Sequence, residues 1–214
     1  MPLLSQPAPK PERPRRKAVA VAPVRPVPPM AIVGDSVEMR LGDTLVTALP
    51  DGALWVAESK TLIVSDIHFE KGSSFALRGQ MLPPYDTHAA LLKLTDLMLR
   101  LQPDIIVSLG DSFHDSGGPN RMDARDRELL RLLMSRCDWV WVEGNHDGRA
   151  PETLGGKFHE VLHVGSLVLR HEPTEAVAPG EIAGHMHPCA RVVGRGRSVR
   201  RRCFATDGAR LVMP

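Results

Sequence analysis

The alternation of apolar and polar side chains first becomes regular at residues 37–41, where it has the two-residue period of a half-buried strand. Short apolar runs bounded by turn residues predict more strands, at residues 44–49, 53–57, 61–65, 105–107 and 139–142. Leucine and methionine recur at helical spacing over residues 86–101, which predicts a helix with one buried face. A second amphipathic helix is predicted over 123–136, and a shorter helix near 70–78.

The rest of the chain carries strand patterns only. Short apolar runs predict strands at residues 160–164, 167–169, 181–183, 189–193, 199–204 and 210–213. Strand–helix units followed by a run of strands favour an α/β fold, in which two sheets pack face to face with helices outside.

Residues 1–30 differ from the rest in composition. They contain nine prolines and no aromatic residue, and proline removes a backbone donor and disfavours helix at the preceding residue. We predict a disordered basic tail over residues 1–30 and a single domain over 31–214. No run of eighteen apolar residues is present to span a membrane, and the apolar stretch 18–22 is too short for a secretory signal. We therefore expect a cytoplasmic protein.

Five short motifs rich in metal-binding side chains follow one another along the chain. They are Asp66-Ile67-His68, Gly110-Asp111, Gly144-Asn145-His146-Asp147, His171 and Gly184-His185-Met186-His187. The first three follow predicted strands, and functional groups of α/β folds gather at the carboxyl ends of strands. Asp66 and His68 are two residues apart, and such residues of a strand share one face, so we expect both to reach one metal. Imidazole together with carboxylate and amide oxygen suits Mn²⁺, Fe or Zn²⁺ better than Ca²⁺.

Charge is unevenly distributed, although the formal net charge is only +2. Residues 1–30 hold six basic side chains and one acidic, and residues 191–210 hold seven arginines and one aspartate. The centre of the chain is therefore acidic. A basic segment beside an acidic metal site suits a polyanionic substrate, with Arg200, Arg201 and Arg202 as candidate nucleic-acid contacts. The alternative is a solvated arginine-rich surface.

The ordered motifs resemble those of the calcineurin-like metallophosphoesterases, from about Thr61 to His187. The resemblance implies a four-layer α/β/β/α sandwich and two divalent metal ions, with Mn²⁺ expected and Fe or Zn²⁺ as alternatives. It implies three sets of ligands: Asp66, His68 and His187 on one metal, Asn145, His171 and His185 on the other, and Asp111 bridging both. A hydroxide held between the metals is then the expected nucleophile.

Two further roles come from the resemblance. His146 is expected to stabilise or protonate the leaving oxygen, and Asp147 to orient the imidazole of His146. Where many phosphatases of the superfamily carry an Asp-Arg pair, this chain has Phe113-His114, which resembles the double-strand-break repair nucleases. There the matching histidine acts on the scissile phosphate, so His114 is a candidate catalytic group. The alternative is a loop histidine that only hydrogen-bonds a ligand carboxylate.

The closer resemblance is to the ligase-associated metallophosphoesterases of bacterial DNA repair. It is carried by residues 65–72, 82–87, 110–115, 184–188 and 200–204. It implies a manganese-dependent DNA endonuclease that acts on single-stranded DNA and is found beside a helicase and a DNA ligase. Two other hypotheses remain: a small-molecule phosphatase or nucleotide pyrophosphohydrolase with the same metals, and a non-catalytic scaffold. A scaffold is expected to lose ligands, and none is missing here.

Overall fold

The structure, a computed structural model, describes residues 30–214. The tail predicted over residues 1–30 lies outside these residues except for Met30, which begins the first strand. Eight strands form one sheet in chain order: β1 (Met30–Val33), β2 (Ser36–Leu41), β3 (Thr44–Ala48), β4 (Leu54–Val56), β5 (Thr61–Val64), β6 (Ile105–Leu109), β7 (Asp138–Val142) and β8 (Lys157–His159). Strands β1 to β5 pair antiparallel, whereas β5 to β8 pair parallel.

Helices connect the parallel strands. They are α1 (Lys71–Leu77), α2 (Asp86–Leu101), α3 (Gly118–Arg121) and α4 (Ala124–Met134), with a 3₁₀ helix at Ala150–Leu154. Helix α2 ends at Gln102, which adopts the left-handed conformation (φ 49°) directly before Pro103. Helix α4 begins after Asp123, whose carboxylate accepts from the N–H of Arg125 (2.8 Å) and caps the helix. No helix within residues 30–214 has the length and apolar character needed to cross a membrane.

A second sheet has five strands, β9 (Val161–Val164), β10 (Leu167–Arg170), β11 (Glu181–Ala183), β14 (Ala205–Thr206) and β15 (Arg210–Val212). Their order in the sheet is β14-β15-β11-β10-β9. The strands predicted at 189–193 and 199–204 do not join it. They form a separate two-stranded ribbon, β12 (Cys189–Gly194) and β13 (Arg197–Arg202), whose residues are all exposed. The reason is that arginines on both faces leave neither face of this ribbon apolar enough to bury.

Two apolar clusters hold the layers together. One lies between the sheets and takes Ile63, Val107 and Val140 from the large sheet. The other lies between the large sheet and the helices and takes the neighbouring residues Leu62, Ile106 and Trp141. The α/β fold with two packed sheets is thus confirmed. All helices within residues 30–214 precede residue 155, and the helical layer that they form packs on the large sheet.

A buried ion pair sets the register of the second sheet. Glu181 of β11 lies opposite Arg210 of β15, and its carboxylate is fully buried. The guanidinium of Arg210 donates to Glu181 Oε2 at 2.6 and 2.8 Å, and the N–H of Thr174 donates to Oε1 at 2.9 Å. Burial alone would raise the pKa of Glu181, but these donors outweigh it and lower the pKa overall. Arg210 therefore stabilises the second sheet, although the sequence places it in the basic segment 191–210 with the exposed arginines.

We expect Arg210→Met to lower the free energy of unfolding by about 3 to 5 kcal/mol, because it leaves a buried carboxylate without its main partner. Urea unfolding monitored by circular dichroism measures the change. The matched control is Arg136→Met at an exposed arginine, with an expected change within about 0.5 kcal/mol. A loss of under about 1 kcal/mol for Arg210→Met would show that the pair behaves as a surface ion pair.

Candidate metal centre

The predicted ligands converge at one end of both sheets. In the large sheet, Asp66 follows β5, Asp111 follows β6 and Asn145 follows β7, and these three strands are parallel neighbours. The loops after β5 and β6 are joined by backbone hydrogen bonds, from Asp66 N to Gly110 O (3.2 Å) and from His68 N to Asp111 O (3.0 Å).

In the second sheet the ligand segments follow β10 and β11, which are also parallel neighbours. His171 comes directly after β10, and the N–H of Gly184, directly after β11, donates to the carbonyl of His171 (3.0 Å). Four strand ends of the two sheets, with the loop after β7, therefore bring all seven predicted ligands to the same region.

The backbone at five of these ligands is left-handed. The φ angles are 52° at Asp66, 52° at His68, 47° at Asp111, 65° at His185 and 42° at His187. Asp66 and His68 do lie together, but not because they share one face of a strand, since β5 already ends at Val64. Their side chains meet because two left-handed residues turn the loop. Such conformations are unfavourable for side chains other than glycine and are typical of functional sites.

Two glycines of the motifs permit the close approach of the loops. A Cβ atom at Gly184 would collide with the hydroxyl of Ser65 and the carboxylate of Asp66. A Cβ atom at Gly144 would collide with the backbone and carboxylate of Asp111. Each glycine is therefore required by the packing of a ligand carboxylate against it.

The first group of ligand atoms belongs to Asp66, His68 and His187, which lie within 4.8 Å of one another. Asp66 is held by the hydroxyl of Ser65, which donates to Oδ2 at 2.6 Å, and by the N–H of His185, which donates to Oδ2 at 3.1 Å. The buried Nδ1 atoms of His68 and His187 have no hydrogen-bond partner within residues 30–214. The other ring nitrogen of His187, Nε2, lies 3.6 Å from Asp66 Oδ1. Two imidazoles and a buried carboxylate at such distances form a donor set that fits a metal ion.

The second group consists of Asp111, His171 and His185, again within 4.8 Å. The amide oxygen of Asn145 lies 2.9 Å from His171 Nε2 and 2.9 Å from His185 Nδ1, so it belongs to the same cluster. His171 Nδ1 lies 3.1 Å from the carbonyl oxygen of Leu109, an acceptor that places the proton on Nδ1 and leaves Nε2 for a metal. The two groups coincide with the predicted ligand sets, and the bridging role of Asp111 stays a prediction.

The electrostatics of the site favour the metal-binding protonation states of Asp111 and His68, but not that of His171. Burial would raise the pKa of Asp111, but hydrogen bonds from His171 and from the N–H of His146 outweigh it and lower the pKa to about 2. Burial lowers the pKa of His68 to about 4, which keeps its imidazole neutral. Burial also acts to lower the pKa of His171, but Asp111 at 3.2 Å outweighs it and raises the pKa. A divalent cation beside Asp111 would replace the proton that Asp111 stabilises on His171.

The candidate acid–base residues lie at the open side of the ligand groups. The ring of His146 is 45% exposed, and its Nε2 lies 3.8 Å from Asp111 Oδ2. The ring of His114 stacks on that of His146, with centroids 5.7 Å apart and planes 25° apart. His68 contacts both rings edge-on, at 5.3 Å from His146 and 5.5 Å from His114. The structure therefore places His114 inside the site.

Asp147 does not have the position that its predicted role requires. Its carboxylate is buried and accepts from the N–H of Phe113 (2.9 Å), and within residues 30–214 no hydrogen bond joins it to the ring of His146. Burial raises the pKa of Asp147 to about 6. Within residues 30–214 the structure therefore shows no contact through which Asp147 orients the imidazole of His146. Adjacent side chains in this turn diverge, and Asp147 instead anchors the loop that carries His114.

The three arginines that are candidate nucleic-acid contacts do not all lie on the same face of their strand. Arg200, Arg201 and Arg202 are consecutive on β13 and exposed, and alternation along the strand puts Arg201 on the face opposite to the other two. Sequence analysis also missed Ser65, whose hydroxyl holds Asp66. A serine directly before a ligand aspartate at the end of a strand was the available signal.

We expect Gly184→Ala to lower the affinity for Mn²⁺ by at least about tenfold, the usual effect of displacing groups that orient metal ligands. The added methyl group must push apart Ser65 and Asp66. Calorimetric titration with Mn²⁺ measures the affinity, and thermal unfolding checks the fold. The matched control is Gly194→Ala, at a glycine with no heavy atom within 4 Å of the added carbon. Equal Mn²⁺ affinity in both variants would contradict the packing role of Gly184.

Comparisons with known proteins agree with this geometry. The crystal structure of Pseudomonas putida nuclease MPE is similar, with 26% sequence identity and a TM-score of 0.68, over 84% of this chain and 86% of that chain. No curated protein matches the chain. The family described as calcineurin-like phosphoesterase matches residues 59–194, which is more than half of the chain. The protein thus belongs to the calcineurin-like phosphoesterase family.

Proposed function

We propose that this phosphoesterase is a manganese-dependent DNA endonuclease that acts on single-stranded DNA. The observation that carries the proposal is the similarity to a solved nuclease over 84% of the chain. The position of His114 supports it, because the residue that distinguishes the nuclease motif stacks on the candidate acid–base group. A role in DNA repair, beside a DNA ligase and a helicase, rests on the sequence resemblance alone.

The ligands support a pair of divalent ions at two adjacent positions. Asp66, His68 and His187 would hold one ion, and His171, His185 and Asn145 would hold the other, with Asp111 between them. Bound divalent ions supply Lewis acidity at the phosphate and lower the pKa of water. Nitrogen and oxygen ligands without a thiolate favour Mn²⁺, with Fe or Zn²⁺ as the alternatives.

His146 is suited to protonate the leaving oxygen. Its ring is exposed to a substrate on one side, while its backbone N–H donates to Asp111 Oδ1 at 2.9 Å. This bond ties the loop to a ligand carboxylate, so the ring keeps its position relative to the phosphate that the ions would bind. General acid groups contribute when they are held within hydrogen-bond reach of the atom they protonate.

His114 is suited to a neutral hydrogen bond with the phosphate. Burial, with smaller effects from Lys71 and His146, lowers its pKa, so the imidazole is uncharged near neutral pH. The backbone N–H of His114 donates to the carbonyl of Phe69 (2.9 Å). The ring centroid of His114 lies 5.5 Å from that of Phe75. These contacts fix the ring beside His146. A neutral imidazole can donate one hydrogen bond to a non-bridging phosphate oxygen.

With Mn²⁺, we expect the protein to cleave single-stranded DNA and Asp111→Asn to lose that activity while keeping its fold. An amide oxygen at residue 111 can still accept from the N–H of His146, but it binds cations far more weakly than a carboxylate. Cleavage of labelled DNA and of a phosphomonoester, with the manganese content of both proteins, is the measurement. Preferential hydrolysis of the monoester would favour the small-molecule phosphatase. Near-normal cleavage by Asp111→Asn would remove the two-metal mechanism.

His146→Ala is expected to keep its metals and to lose cleavage by about 10² to 10⁴-fold, the range for a positioned acid–base group. The loss should shrink for a nitrophenyl ester, because that leaving group departs without a proton. Steady-state kinetics on DNA and on bis(4-nitrophenyl) phosphate give the two ratios. Equal losses on both substrates would point to a role of His146 in binding metal or phosphate.

A further inference from the structure

The ribbon of β12 and β13 projects from the metal centre itself. Strand β12 begins two residues after the ligand His187, and the base of the ribbon is closed by a hydrogen bond from Cys203 N to Pro188 O (3.0 Å). Each strand has six residues, so the ribbon is about 20 Å long. A substrate bound at the metal centre therefore lies next to the base of this ribbon.

The pairing of the two strands sorts the arginines onto two faces. Arg191 lies directly opposite Arg200, and Cys189 lies opposite Arg202. Because side chains alternate along both strands, Arg191, Arg200 and Arg202 share one face, which we call the arginine face. The opposite face carries Arg197, Arg201 and the apolar pair of Val192 and Val199.

The arginine face is unfavourable by itself. Like charges that lie directly opposite on paired strands destabilise the pairing, and Arg191 and Arg200 are such a pair. Within residues 30–214, no carboxylate lies in salt-bridge distance of Arg191, Arg200 or Arg202. An isolated two-stranded ribbon is also only marginally stable. A polyanion along this face would remove the repulsion and order the ribbon.

The position of Arg202 shows which part of the molecule the arginine face adjoins. This arginine lines a groove of about 1070 Å³ together with Ser65 and Asp66, at the same end of the large sheet as the ligands. Lys93 of α2 also lines the groove, as do the carboxylates of Asp35 and Asp51, and Leu94 and Phe204 contribute apolar walls. The arginine face therefore continues, through Arg202, a groove that begins at a metal ligand and carries charges of both signs.

We propose that the arginine face binds backbone phosphates of the DNA strand on one side of the scissile phosphate, an inference that rests on the proposed nuclease function. Arg200 and Arg202 are two residues apart on one strand, about 7 Å, and Arg191 lies beside Arg200. The three guanidinium groups form a row that starts at the groove and leads away from the metals. The charge complementarity is with phosphate, so the contact is independent of base sequence.

The matched variants are Arg191→Gln/Arg200→Gln on the arginine face and Arg197→Gln/Arg201→Gln on the opposite face. Both remove two charges from exposed positions of the same ribbon. With single-stranded DNA of about 20 nucleotides, which exceeds the ribbon in length, the first variant should raise KM about tenfold. It should also lower the log–log salt slope of binding by about 1.4, because two phosphate contacts are lost.

The control variant should change KM by less than about twofold, because its arginines point away from the strand. Neither variant should affect bis(4-nitrophenyl) phosphate, which is too small to reach the ribbon. Binding is measured on the His146→Ala background, where DNA stays intact, and thermal unfolding confirms that both variants are folded.

Equal losses in the two double variants would overturn the assignment to one face, and no loss in either would show a solvated surface. The proposal is also overturned if deletion of residues 1–29 alone removes the salt dependence, since the tail would then be the phosphate contact. If the unmodified protein cleaves only the small diester, the nuclease function fails. The affinity comparison on the His146→Ala background still decides the ribbon in that case.

Discussion

The carboxylate of Asp111 is the group around which the two sheets close. It is 1% exposed, and a carboxylate so deeply buried requires hydrogen bonds and positive charge around it. The large sheet supplies the N–H of His146, and the second sheet supplies the imidazole of His171 at 3.2 Å. Both groups come from loops at strand ends, so the need to satisfy one buried charge aligns the strand ends of two separate sheets. The same alignment creates the positions for two cations.

The arrangement of the ligands requires strained backbone conformations. Five ligands adopt left-handed φ values, and two glycines accept contacts that any side chain would prevent. The surrounding structure holds these loops in place through the two apolar clusters and the buried pair of Glu181 and Arg210. That pair fixes the register of β11, which leads directly into the ligand histidines. That pair thereby links the stability of the second sheet to the position of the segment that carries His185 and His187.

Charge of both signs is separated in space as well as along the chain. The ligand carboxylates are buried at the strand ends, while six arginines stand on or at the turn of the exposed ribbon. Under the proposed nuclease function, the ribbon would contact the DNA backbone and the metal centre would cleave it. The half-exposed ring of His146 lies 3.8 Å from the buried carboxylate of Asp111 and reaches solvent.

The pattern of apolar residues was enough to predict most strands, helix α2 and the α/β class, because local periodicity and burial agree in those segments. The ligand motifs were also visible in the sequence, since each follows a predicted strand and three of the five begin with a glycine. Strand β8 and the separation of the ribbon from the second sheet depended on which segments pair, and pairing is decided by contacts distant in sequence. The same reason explains why the sequence did not show the contact between Asp147 and Phe113, since residues distant in the chain are neighbours in space. Sequence alone therefore determined which side chains are available for chemistry, and only the tertiary structure decided which way each of them faces.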